Sequence, residues 1–170
     1  MQQNNVRRVF FLATLLLSMA AVASAQYDGT CSNATMSGVW GYTITGTLIT
    51  PTGPVPFGVI GRSINNIDGT SSATQTSSTG GQVSLDTLKG NGGVVNPDCT
   101  TTFSVSVYDK SGTLLRTANW SGVLVDNGKE LRAIMTSLVL ANGTPNGMSI
   151  PAIVTMNARK LFPPDMLGWQ

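Results

Sequence analysis

The sequence predicts an all-β fold, an antiparallel barrel of about eight strands. Three observations carry the prediction. After the first two dozen residues helical periodicity gives way to short runs of alternating apolar and polar residues. Turn dipeptides such as Asp68-Gly69, Gly80-Gly81 and Asn127-Gly128 separate the runs. The hairpins are consecutive and similar in length, and closing such a sheet removes the exposed edges that an open one would leave. A β-sandwich is the alternative. Its immunoglobulin form wants a buried tryptophan between two bridged cysteines, and here that interval holds only Trp40, just after Cys31.

Each element follows in order. Residues 1–25 read as a secretory signal peptide: Arg7 and Arg8 lead into the apolar stretch Val9 to Leu17, and Ala23-Ser24-Ala25 supplies the cleavage site. The apolar stretch is too short for a membrane anchor. The residues around Arg7-Arg8 only faintly match a twin-arginine signal, and no lipoprotein site precedes Cys31. Residues 26–162 form one barrel domain, and 163–170 a tail packed over one rim. Trp40, Tyr42, Ile44 and Leu48 share one face of the first strand. The stretch 50–58, TPTGPVPFG, reads as a proline-punctuated connection, and VIGRSINNI as the second strand. TSSATQTSS reads as an exposed strand, and QVSLDTLKG as the next, with Val83 and Leu85 in phase. Phe103, Val105 and Val107 alternate with Ser104 and Ser106, and the turn DKSG leads into TLLRTANWSGVLV. Asn127-Gly128 returns the chain into KELRAIMTSLVL. Beyond Asn142-Gly143, Met148, Ile150, Ala152, Val154 and Met156 alternate strictly, placing one face of the last strand in the core. Pro151 cannot donate to a ladder, so an edge or bulge and an incomplete seam are expected beside it.

Charge and cysteine usage bound the setting. Without Arg7 and Arg8 the ten Lys and Arg become eight, against eight Asp and Glu. The mature chain is then near neutral and offers no basic stripe for nucleic acid or an anionic membrane surface. Its length, about 145 residues, suits one domain with a sizeable core. Cys31 and Cys99 are the only cysteines. In an exported chain they are expected to form a disulfide tying the N-terminal segment to the middle of the sheet, with two free thiols as the other reading. The expected location is secreted or periplasmic, without stable membrane insertion.

The segments CSNATMSGVWGYTITG, INNIDGT and NPDCTTTFSV resemble a group of small, uncharacterised bacterial secreted β-barrel proteins. Gly41-Tyr42, Asp68-Gly69, Asn96 to Thr100 and Asp126 to Glu130 carry the match across most of the mature chain. The chain departs from the pattern at Thr101, where a glycine is expected, and in its longer proline-rich first connection. The resemblance implies an allene-oxide-cyclase-like or lipocalin-like (calycin-like) barrel and transfers no catalytic residue.

The chain contains no histidine. That removes Ser-His and Cys-His nucleophilic pairs, most zinc and iron sites and the usual general base. No Gly-x-Ser-x-Gly elbow and no phosphate loop occur. Asp68, Asp98, Asp109 and Asp126 sit beside turn residues, where aspartates cap their own backbone. NNIDGT lacks the spacing of a calcium loop. No catalytic residue, metal or cofactor is expected. Asn33, Asn119 and Asn142 begin glycosylation sequons, as chance allows in a chain rich in Asn, Ser and Thr.

Candidate ligand-lining residues are Trp40, Tyr42, Phe103, Trp120, Met135, Met148 and Met156, with Phe57 as a further aromatic. An eight-stranded barrel is just wide enough for such residues either to line a pocket or to fill the interior. If they line one, it is expected to be narrow, apolar and reached near the seam at Pro151. Three functions are compatible: a non-enzymatic barrel holding a small apolar molecule, a structural or adhesive pilin-like surface module, and a cofactor-free cyclase or isomerase. Oligomeric state is not readable from the sequence.

Overall fold

The computed structural model describes residues 30–141 and 147–162. The leader, the tail 163–170 and the Asn142-Gly143 turn with its sequon lie outside them. A helical turn, α1 (Asn33–Met36), precedes strands β1 (Gly38–Thr50), β2 (Gly53–Asn65), β3 (Ser71–Thr79), β4 (Gln82–Gly90) and β5 (Val94–Val95). Then come β6 (Thr100–Tyr108), β7 (Leu114–Val125), β8 (Glu130–Leu140), β9 (Met148–Ser149) and β10 (Ala152–Phe162). The long strands pair antiparallel in the order β1-β2-β3-β4-β6-β7-β8, and β10 pairs with both β8 and β1. The sheet is therefore a closed eight-stranded barrel, with β5 and β9 as short additions to β6 and β8. Closure rules out the sandwich.

Turn chemistry sets the hairpins as the sequence predicts. Asp68 Oδ1 accepts from the Thr70 amide (2.9 Å) and hydroxyl (2.7 Å), and Gly69 takes the positive φ that closes the turn. Asp98 does the same for Thr100, and Asp109 for Ser111. These hydrogen bonds hold the three exposed carboxyls below the usual carboxylate range. Their oxygens serve the turns.

The first connection is shorter than its prolines imply. Only Pro51 and Thr52 separate β1 from β2, and Pro54 and Pro56 lie within β2, opposite Ile49 and Thr47. Pro56 O accepts from the Gly80 amide (2.9 Å), so its backbone polar groups point away from β1. On that side β3 ends at Thr79, opposite Phe57, so neither proline interrupts a ladder.

Two further expectations fail for a shared reason. The β3 segment is not simply exposed, because Gln75 and Ser77 are buried. On β4 it is Asp86 and Leu88 that are buried, whereas Val83 and Leu85 are 70% and 55% exposed. Phe57 and Val59 of β2 face inward and stand opposite Thr79 and Ser77, which fixes the phase of β3. The Gly80-Gly81 turn then sets Ser77 against Ser84 and Gln75 against Asp86. Hairpin register overrides the apolar pattern.

The last strand is also broken in two. Ile150 is buried and its amide donates to Leu138 O, while Pro151 O accepts from the Ile49 amide. Met148 and Ser149 belong to the separate β9, against Val139 and Leu140, and both are exposed. The interruption at Ile150-Pro151 frees β9 from the phase of β10, so Met148, 42% exposed, is not a core residue. The incomplete seam does exist: β8 pairs with β10 only over Glu130–Ile134. Just beyond, Asn119 and Trp120 of β7 face Ser137 and Met135, leaving Thr136 as a bulge. The buried positions of β8 accordingly shift from Leu131, Ala133 and Met135 to Leu138.

Candidate binding cavity

Side chains from every wall meet in the barrel. Trp40 and Tyr42 come from β1, Phe57 from β2, Phe103 from β6 and Trp120 from β7, with Met135 and Met156 beside them. They leave a narrow cavity of about 90 Å³. The Phe103 and Trp120 rings, on paired positions, are nearly parallel, with centroids 6.2 Å apart and planes at 10°. Gly61 makes room for the Tyr42 ring, since a Cβ there would overlap it and press on Gln75.

One end is covered by α1. The Cys31–Cys99 disulfide anchors the segment before it, across a Cα separation of 4.9 Å. Asn33 donates from Nδ2 to Gly93 O (3.1 Å) and accepts at Oδ1 from the Val95 amide (2.9 Å), so its side chain is committed to the fold. Trp40 Nε1 donates to Met36 O (2.8 Å), and Lys160 Nζ donates to Thr35 O (2.6 Å) and lies 5.3 Å from the centre of the Trp40 ring. Burial lowers the Lys160 pKa. Beside this cap, Asn65, Asn66 and Thr70 of the β2–β3 turn, with Gly93, reach the cavity. The rim thus faces β3 and β4, across the barrel from the Pro151 seam where an opening was expected.

The wall formed by β3, β4 and the start of β7 is polar. Asp86 Oδ2 accepts from Ser77 Oγ (2.8 Å), Arg116 Nη2 (3.1 Å) and Gln75 Nε2 (3.2 Å), and Oδ1 accepts from Ser84 Oγ (2.9 Å). Tyr42 Oη donates to Gln75 Oε1 (3.1 Å), joining the aromatic wall to this network. Arg116 also lies over the Phe57 ring, 5.6 Å from its centre. Burial pushes the Asp86 carboxyl up, but the hydrogen bonds from Ser77, Gln75 and Ser84, with the charge of Arg116, outweigh it and hold the group ionised below its usual range. Burial first, and the Asp86 charge second, push the Tyr42 phenol far above its ordinary value.

Of the residues predicted to meet a ligand, Trp40, Tyr42, Phe103, Trp120, Met135 and Met156 line this one cavity, and Met148 does not. The Asp86–Arg116 pair was missed by the sequence reading. Its signal was present: both are charged residues within strands, away from any turn dipeptide, where a solvated charge must face outward and a buried one needs a partner. Asn119, the other described sequon asparagine, is exposed and donates from Nδ2 to Ser137 Oγ (2.7 Å).

Among the described residues no helix is long and apolar enough to cross a membrane. No protein-family model matches the chain, and no curated protein matches it significantly. Fold and site define it as a closed antiparallel barrel with an aromatic interior and, among the described residues, one ion pair whose carboxylate is buried.

Proposed function

We propose that the chain is an exported, non-enzymatic barrel that holds a small, apolar, largely planar molecule. The supporting observation is the cavity itself, where Phe103 and Trp120 present stacked rings among Trp40, Tyr42 and three methionines. The leader-like N-terminus and the disulfide support export. Catalysis is disfavoured because the buried carboxylate and phenol, the groups able to move a proton, are already engaged with Ser77, Ser84, Gln75 and Arg116. A pilin-like subunit is disfavoured because β10 already pairs on both sides, which among the described residues leaves no long vacant edge for a neighbour's strand. The likeness to calycin-like barrels fits the same reading.

Benzene and toluene, the planar hydrocarbons nearest the cavity in size, are the probes. A tenfold excess of free ligand over Kd adds about 1.4 kcal/mol of stability. The melting temperature should therefore rise with ligand concentration while tryptophan fluorescence changes. Ala118→Phe, which fills the cavity from β7, should abolish both effects. Absence of any shift with either hydrocarbon in the wild-type protein would overturn the proposal.

A further inference from the structure

Two neighbouring strands carry polar residues on their inward faces at the rim of the cavity. Phe57, Val59 and Gly61 set the inward phase of β2, and Ser63 and Asn65 continue it. On β3 the buried Gln75 and Ser77 set the phase that Ser71 shares. Asn65 and Ser71 stand directly opposite each other, with Gly38 of β1 opposite Asn65 on its other side and the buried Gly90 of β4 opposite Ser71. Glycine at position 90 leaves room for the Ser71 hydroxyl, which a Cβ there would overlap. Ser63, Asn65 and Ser71 are half-buried, and all three line the cavity. Among the described residues their side chains form no hydrogen bond, whereas Asn33 and Asn66 beside them are committed to Gly93, Val95 and Thr70.

We propose that Ser63, Asn65 and Ser71 form a neutral polar seat at the cavity mouth, so that the cavity takes a small aromatic compound bearing one hydroxyl over the hydrocarbon of the same size. This inference rests on the ligand-holding reading above. A hydroxyl both donates and accepts, and the seat answers it with one carboxamide and two hydroxyls that do the same. A wholly apolar cavity would strip the hydroxyl of its water and return nothing, which costs more than the missing contact. Where partners are built in, the balance tips toward the polar ligand. Ser63 stands opposite Trp40, so the seat adjoins the aromatic wall that receives the ring. The ligand is uncharged because nothing at this end answers a charge. Of the residues lining the cavity only Arg116 is charged, and Asp86 engages it at 3.1 Å. The ionised Asp68 carboxylate, in the turn that joins β2 to β3, would repel an anion.

The test compares phenol with toluene at pH 7, where both are neutral; they are nearly equal in size and differ by a hydroxyl in place of a methyl. Phenol should bind the wild-type protein at least as tightly as toluene. In the double variant Asn65→Leu, Ser71→Ala the affinity for phenol should fall about tenfold or more, the effect of one or two lost hydrogen bonds, while that for toluene stays within about twofold. In 15N-labelled wild-type protein the Asn65 side-chain amide resonances, assigned through their own Cβ protons, should move with phenol and stay in place with toluene. Should the variant fail to fold, the wild-type affinities and spectra decide alone. If toluene binds but phenol binds more weakly, if phenol loses no more than toluene in the variant, or if the Asn65 amide stays in place with phenol, the seat is wrong and the ligand-holding reading stands. If neither compound binds, both are wrong.

Discussion

Arg116→Leu removes the cation facing a carboxylate whose side chain has no exposed surface. At 3.1 Å the gross attraction is about 5 kcal/mol for an effective dielectric near 20. Desolvation of both groups offsets much of that in the intact pair. Removing one partner leaves the other's desolvation uncompensated, which typically costs about 3–5 kcal/mol. Asp86 would keep its bonds from Ser77, Ser84 and Gln75, which places the expected loss near the lower end, about 3 kcal/mol. For a domain of this size that corresponds to about 10 °C in Tm. Urea unfolding at pH 7, followed by tryptophan fluorescence, measures it. The pH dependence gives an independent check. The folded pKa of Asp86 is depressed, so its contribution is complete above the unfolded carboxyl value near 3.9 and is lost as pH falls through the folded value. Below about pH 4 the gap between wild type and variant should narrow, because protonation takes from the wild type what the variant already lacks. Asp86→Asn in the Arg116→Leu background should recover part of the loss. A loss under about 1 kcal/mol, or a gap that does not depend on pH, would refute the assignment of the pair as a structural core element.

Replacing Cys31 and Cys99 together by serine should lower stability by about 4 kcal/mol, given the 68-residue separation, while far-UV circular dichroism still reports the strands; a loss near zero would mean that the bond closes no loop in the unfolded chain that matters. Met148→Asp should be nearly silent, whereas Met156→Asp on the inner face of β10 should cost several kcal/mol or force the carboxyl to neutralise; equal melting temperatures for the two would contradict the break at Ile150-Pro151. Tyr42 should stay protonated in the folded protein, and stability should fall once pH rises above about 10, where the unfolded phenol loses its proton but the folded one does not. Ultraviolet titration that finds Tyr42 ionising at its ordinary pH without unfolding would disprove its burial.

By itself the sequence determined the fold class, the hairpin order and the disulfide, because all three follow from local chemistry. Turn dipeptides and Asx turns act over four or five residues, strand alternation needs no distant partner, and two cysteines allow a single pairing. It also singled out the aromatic residues of the cavity wall, since Trp40, Tyr42, Phe103 and Trp120, with Met135 and Met156, are large apolar residues on strands that hold their phase. Tertiary structure decided what depends on register passed from strand to strand. Ser77, Gln75 and Asp86 face inward only because β2 fixes β3 and the Gly80-Gly81 turn fixes β4. Met148 leaves the core only because Ile150 and Pro151 bond to different neighbours, Leu138 and Ile49. The meeting of Asp86 with Arg116, 30 residues apart, depends on the curvature that closes the sheet. Which indole finds an acceptor was likewise a tertiary outcome: Trp40 lies beneath the carbonyl of Met36 in α1, while Trp120 is enclosed by side chains that have none to offer.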